Sequence, residues 1–330
     1  MASANKHIKS SKRIASKARQ TYDVLVLATI SAGKSSFINA LVGRELLPSA
    51  NEATTACLTS LEHRQSASSF RGTCYTHGGE RLAALRDASI DDVRAWNADT
   101  RVSHIRLSGK FRTRPSIAPG LVLYDTPGPN NSQDDSHGGM MLKAIHTVPF
   151  KLLCYVLNAG QLGTWDDRNL LEQLRKLLEG RRGHGLVFIL NKVDLLDPER
   201  GEDLAGCVAH ARAYLEKLGF ESPIIVPTMA NIALYARKAM NAEPLTRSER
   251  ARLQQSLDDL VFDNADPLEA AAMPDALRAS VARELGKARR SRKTPAGSVP
   301  ATDMARLEQL VVRSGIKTVE FLLNQRSTMA

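Results

Sequence analysis

The sequence predicts an α/β protein with a mainly parallel central sheet flanked by helices, plus a short C-terminal helical appendage. Three observations predict it. Short apolar runs rich in β-formers recur at 22–27, 121–124, 152–157, 185–190 and 223–227. Such runs read as strands buried on both faces, as in parallel sheets. Stretches with helical spacing lie between them, which is the order of βαβ crossovers. Beyond residue 240 the strand pattern stops and helical periods take over.

The elements follow in order. Tyr22 to Leu27 is the first strand, and Ser36 to Val42 is helical, with Phe37, Leu41 and Ile38, Val42 on one face. Between Leu58 and Gly120 the spacing predicts strands around Phe70 to Tyr75 and Val102 to Leu107, with a helix around Ile90 to Trp96. Asp167 to Leu178 and Leu204 to Leu218 read as crossover helices. Ser248 to Phe262 is helical in period, and Pro274 to Arg290 is a basic amphipathic helix with Leu277, Val281 and Leu285 on one stripe. Residues 294–300, rich in Pro, Gly and Ser, read as a linker. One last helix is expected from Asp303, as N-cap, to Gln325, with Leu307, Leu310, Val311, Ile316, Val319 and Leu323 as its apolar stripe. The expected organisation is a basic N-terminal arm or helix at 1–20, a nucleotide domain at 21–240 and a helical appendage at 241–330.

Composition narrows the class. Hydrophobic content of 43% and charged content of 24% suit a globular protein. Cys57, Cys74, Cys154 and Cys207 lie far apart with no metal-ligand spacing, so reduced thiols in a cytoplasmic protein are the expectation. No apolar run reaches the ~18–20 residues that span a bilayer, and no apolar signal segment opens the sequence. Formal net charge is +10, but it is unevenly placed. Residues 1–20 hold Lys6, Lys9, Lys12, Arg13, Lys17 and Arg19 with no acid, and 276–293 holds seven basic residues and one acid. These two flanks carry more positive charge than the whole chain. They suit an anionic surface, either lipid headgroups or nucleic acid; a solvated face explains them as well.

Four motifs carry the chemistry. Gly33-Lys34-Ser35 joins the first strand to the first helix, the context of a phosphate loop. Backbone N–H groups of Ser31, Ala32, Gly33, Lys34, Ser35 and Ser36 converge there on phosphate, with the helix dipole behind them. Lys34 is expected on the β- and γ-phosphates, and the Ser35 hydroxyl on Mg²⁺. Ala28 stands where the pattern G-x-x-x-x-G-K-[ST] has its first glycine. Asp125 ends the 121–124 strand, where a carboxylate meets the Mg²⁺ shell, and Gly128 follows where a backbone N–H senses the γ-phosphate. Asn191-Lys192-Val193-Asp194 closes the 185–190 strand. A carboxylate at Asp194 accepts from both guanine N1–H and the N2 amine; adenine would leave it unpaired, so the nucleotide is expected to be GTP or GDP. Ala230 offers a backbone N–H to the guanine carbonyl, behind Met229.

The stretch from Ser31 to Gly43, then Leu46-Leu47-Pro48-Ser49, Glu52-Ala53-Thr54-Thr55-Ala56 and Asp125-Thr126-Pro127-Gly128-Pro129-Asn130, resembles the dynamin family, and within it the bacterial dynamin-like proteins. The resemblance covers about residues 21 to 240, with a short echo at Ser314-Gly315-Ile316. It implies a dynamin-type GTPase that hydrolyses GTP to GDP and phosphate. Thr55, with Thr54 as the fallback, would close over the γ-phosphate, its hydroxyl on Mg²⁺ and its carbonyl on the attacking water. Ser31 would help hold K⁺ or Na⁺. The residue before it, often a water-positioning glutamine in the family, is Ile30 here. The resemblance also implies a nucleotide-dependent homodimer coupled to movement of C-terminal helices, while the basic flanks suggest peripheral contact with anionic membrane. The alternative is a GTP-dependent switch or adaptor with little hydrolysis, recruited to an anionic surface or to DNA replication proteins. Gln254 to Phe262 is faintly like a clamp-binding peptide, though an ordinary amphipathic helix also explains it.

Overall fold

The structure is a computed structural model that describes residues 21–29, 31–48, 57–113, 117–127, 144–179, 184–260, 266–290 and 301–325. Its centre is a nine-stranded sheet of order β4-β3-β5-β2-β6-β1-β7-β8-β9. In chain order the elements are β1 (Tyr22–Ala28), α1 (Lys34–Val42), β2 (Leu58–His63), β3 (Arg71–Thr76), β4 (Arg81–Leu85), α2 (Ile90–Ala98), β5 (Val102–Gly109), β6 (Leu121–Asp125) and β7 (Leu152–Asn158). There follow α3 (Trp165–Leu178), β8 (Gly185–Asn191), α4 (Leu204–Lys217), β9 (Ile225–Thr228), α5 (Ala230–Met240), α6 (Arg247–Asp259), α7 (Pro267–Ala270), α8 (Asp275–Arg290), α9 (Ala301–Arg313) and α10 (Ile316–Asn324).

The strands that the motifs follow are parallel: β1 pairs with β6 and β7, β7 with β8, and β8 with β9. Their C-terminal ends therefore share one edge, where open α/β sheets bind ligands. Beyond β6 the sheet turns mixed, because β2 runs antiparallel to β6, and β3 antiparallel to β4 and β5. The opposite edge is closed: Ile225 and Ala272 exchange both backbone hydrogen bonds, at 2.8 and 3.0 Å, so the segment after α7 covers β9.

Two cores lie on the two faces, and β1 feeds both by strand alternation. Val24, Val26 and Ala28 pack with Phe37, Ile38 and Leu41 of α1 and with Ile316, Val319 and Leu323 of α10. Leu25 and Leu27 pack with Leu171 and Leu174 of α3 and with Ala211 and Leu215 of α4. A third core joins α5, α6 and α9 through Ile232, Ala236, Leu253, Leu307 and Leu310. Full burial of such a side chain contributes up to about 1.5–3 kcal/mol, so α9 and α10 are docked by several large increments. Residues 254–259 of the clamp-like stretch lie on α6, where Leu253 is buried and Leu257 packs against its neighbours, while Val261 and Phe262 lie outside the described residues.

Two sequence expectations change. The single helix from Asp303 to Gln325 is two helices, broken at Ser314–Gly315, with Gly315 left-handed at φ 74°. The expected apolar stripe is split at the break: Leu307, Leu310 and Val311 of α9 enter the third core, whereas Ile316, Val319 and Leu323 of α10 enter the first. Asp303 lies within the first turn of α9 rather than capping it. Strands β2 and β4 had no counterpart in the sequence reading. The arm at 1–20 and the linker at 294–300 lie outside the described residues. Among the described residues no helix is long and apolar enough to cross a membrane.

Candidate functional site

The phosphate-loop residues sit where β1 hands over to α1. Gly33 is left-handed at φ 89°, and no side chain caps the N-terminus of α1. The first-turn amides thus receive no internal side-chain acceptor, as an anion site requires. A Cβ on Gly33 would run into the Asn191 side-chain amide, so only glycine lets the loop lie this close to the end of β8. Ser31 is also left-handed, at φ 61°, and exposed; the Asn158 amide nitrogen lies 3.5 Å from its carbonyl. Ala32 is buried, while Ser35 and Ser36 are half-buried.

Asp125 ends β6 beside this loop. Lys34 Nζ donates to the Asp125 carboxylate and, at 2.6 Å, to the Thr126 carbonyl. Thr126 is itself held by its hydroxyl, which donates to the Val26 carbonyl at 3.0 Å. Asp125 is fully buried, yet its Oδ2 has no partner among the described residues. Burial pushes its carboxyl above the usual range, and Lys34 pulls the other way. An uncapped helix N-terminus, a lysine and a half-satisfied buried carboxylate fit a Mg²⁺-bound phosphate: the carboxylate is the chemistry that holds a cation, and the amides and lysine the chemistry that holds an anion.

Asn191 joins this half of the site to the other. Its Nδ2 donates to the Ala32 carbonyl at 2.9 Å, and its Oδ1 accepts from the Thr228 hydroxyl at 3.2 Å and from Ala230 N at 3.1 Å. The Ala230 N–H that the sequence reading offered to the base is therefore engaged inside the protein, and Met229 N donates to the Ser314 carbonyl at 2.9 Å. Lys192 is left-handed at φ 67° and half-buried, with burial lowering its pKa; a Cβ on Gly33 would stand 3.8 Å from its Cε. Asp194 follows, its carboxyl raised by burial and pulled back by Arg252 and Lys192. Arg252 comes from α6, and no sequence signal ties it to this motif.

The structure thus brings Ser31, Ala32, Gly33, Lys34, Ser35, Ser36, Asp125, Asn191, Lys192, Asp194 and Ala230 to one edge. Thr54, Thr55, Gly128 and Ile30 lie outside the described residues. Two contributors escaped the sequence reading. Thr126, which carries no role in the motif chemistry, anchors Lys34 through its carbonyl. Asn39 on α1 accepts from Leu46 N and Leu47 N at 3.0 and 2.9 Å and donates to the Leu47 carbonyl at 2.8 Å, pinning the chain that leaves the helix. A buried asparagine one turn after Ser35 was the available signal. Cys57 is a buried thiol: burial, helped by Asp125, pushes its pKa up to about 12, and its Sγ donates to Asn97 Oδ1.

The model of the dynamin family matches residues 24–193. A bacterial dynamin-like protein from Nostoc punctiforme is 26% identical over 208 residues, which cover 58% of this chain and 28% of that protein. The chain thus matches little more than a quarter of that relative's length. Two solved structures of an oligomerised bacterial dynamin pair, described as a mechanism for long-range sensing and tethering of membranes, are also similar. They align with TM-scores of 0.49 and 0.47 at 16% and 15% identity, covering 82% of this chain and 41% and 43% of theirs.

Proposed function

The chain belongs to the dynamin family, and from that premise we propose that it binds GTP and hydrolyses it to GDP and phosphate. The observation that carries the reading is Asp125, buried, paired on one oxygen with Lys34 and, among the described residues, unpaired on the other, with no side-chain cap on the helix that Lys34 begins.

The roles follow from the chemistry. Lys34 leaves Asp125 for the β- and γ-phosphate oxygens and balances charge there. The amides of residues 31–36 hold the phosphates. Ser35, Asp125 and Thr55 would hold Mg²⁺, which when bound neutralises phosphate charge. The Thr55 carbonyl and the Gly128 amide orient the attacking water and the γ-phosphate. Water oxygen bonds to the γ-phosphorus as the bond to the β–γ bridging oxygen breaks, leaving GDP, phosphate and a released proton. Asp194 accepts from the guanine edge, Lys192 lies over the loop, and Asn191 keeps the two halves in register. Ser31 would line the site of K⁺ or Na⁺.

Catalysis by positioning demands a site closed to bulk water. Two large apolar side chains are exposed on the motif edge: Trp165 at 77%, after β7, and Leu195 at 58%, directly after Asp194. They favour a second copy facing the nucleotide, the homodimer of this proposal. Residues 21–240 would be the nucleotide domain, with 241–330 docked onto it and moving with the nucleotide. The basic flanks, including Arg283 and Lys287 on α8, favour peripheral contact with anionic membrane.

The test is GTP turnover per molecule across a wide range of protein concentration, with Mg²⁺ and K⁺ present. A specific activity that climbs with concentration is the expected result. A flat rate removes the facing dimer, and no GTP binding at all removes the nucleotide reading. Thr55→Ala should keep GTP binding and stop turnover; wild-type turnover in that variant would remove Thr55 from its role.

A further inference from the structure

The C-terminal helix pair meets the site at two places outside its four nucleotide motifs. At the α9–α10 junction, the Ser314 carbonyl accepts from Met229 N at 2.9 Å. Gly315, at φ 74°, lies against the Pro227 carbonyl so closely that any Cβ would overlap it. Midway along α10, the Glu320 carboxylate receives Arg237 Nη2 and, at 2.7 Å, Lys317 Nζ. Arg237 Nη1 donates in turn to the Ala40 carbonyl in the last turn of α1. The three charged side chains are only 4%, 3% and 9% exposed for Arg237, Glu320 and Lys317.

We infer that Ser314–Gly315 and the Glu320–Arg237 pair are positioning elements of the nucleotide site, so that guanine-nucleotide affinity depends on α10. The inference rests on the nucleotide reading above. Helix α1 carries no basic residue in its own last turn. Arg237 supplies that cation from α5, opposite the negative end of the helix dipole, and satisfies a carbonyl of the kind left open at a helix end. The phosphate amides and the Ala40 carbonyl stand at the two ends of one short, stiff helix, so a clamp at Ala40 fixes where the amides point. On the base side, the turn from Thr228 to Ala230 is gripped by Asn191 from one direction and by the Ser314 carbonyl from the other. One helix thus reaches both the phosphate half and the base half of the site. Stability alone gives no reason for three buried charges, since apolar replacements of a buried ion pair are often neutral or stabilising. Orientation gives one.

The experiment uses the full chain with Mg²⁺ and fluorescent GDP. It measures the Kd and, separately, the rise in Tm that saturating GDP produces. Wild type is compared with Lys34→Ala, Glu320→Gln and Gly315→Ala; the last leaves the buried charges untouched if the second proves hard to fold. Glu320→Gln and Gly315→Ala are expected to bind about tenfold more weakly, within the usual range of coupling between sites, with a smaller GDP-induced rise in Tm. A merely structural role would lower the Tm without GDP and leave both Kd and the GDP-induced rise at wild-type values, and that result overturns the inference alone. Failure of wild type to bind GDP overturns it together with the nucleotide reading.

Discussion

Lys34 and Asp125 form a buried ion pair that any arriving phosphate must compete with, because the lysine has its ammonium on Asp125 and on the Thr126 carbonyl. The pair keeps an uncompensated carboxylate from being buried and holds the lysine within reach of the loop.

Removing the lysine therefore does two things. Lys34→Ala should abolish GDP binding in a fluorescence titration. It should also cost about 3–5 kcal/mol of stability near neutral pH, because it strands a buried charge. The pH dependence has a definite sign. Burial already holds the Asp125 pKa above its ordinary value, against the pull of Lys34. Without that pull the folded pKa rises further, so the ionised carboxylate destabilises the variant above it. The stability deficit against wild type, read from urea melts, should shrink as pH falls through the raised pKa toward the ordinary 3.8.

Asn191→Ala leaves the Ala32 carbonyl, the Thr228 hydroxyl and the Ala230 N–H without their partner. The expected loss is about 2–4 kcal/mol in a denaturant melt, accompanied by weaker GDP binding. An unchanged melt would mean that water replaces the amide at no cost.

Asp194 must be ionised to accept two guanine donors, and burial raises its pKa. Guanine affinity should therefore fall, as pH is lowered, at a higher pH than an ordinary aspartate would dictate. GDP titrations from pH 8 downward check this. Asp194→Asn should bind GDP more weakly at pH 7 and lose that part of the pH dependence.

Trp165 is exposed at the start of α3. Trp165→Ser should leave turnover at the lowest protein concentration unchanged and flatten its climb with concentration. A variant that still climbs like wild type would place the second copy elsewhere.

Much of this fold was legible because parallel strands buried on both faces must be continuous apolar runs, and the motifs stand at their ends. Strand β2, Leu58 to His63, was not, because Glu62 and His63 break its run. Strand β4 is exposed along most of its length, so nothing in its residues demands a pleat. The break at Ser314–Gly315 is imposed by the Pro227 carbonyl, a tertiary neighbour absent from the local sequence. Charged side chains read as solvent-facing from sequence alone, so the burial of Arg237, Lys317 and Glu320 was hidden until the helices were placed. Arg252 reaches the electrostatic surroundings of Asp194 only through the packing of α6.

The contact between Ala40 and the Arg237–Glu320 pair has a consequence for synthesis. About 270 residues separate α1 from α10, and at ~5–20 residues per second the ribosome needs roughly 15–55 s to make them. For that interval the first helix is finished while the helix that clamps it does not yet exist. The apolar face that α1 shares with α10 must wait that long for its cover, and the nascent chain would be a natural client for chaperones.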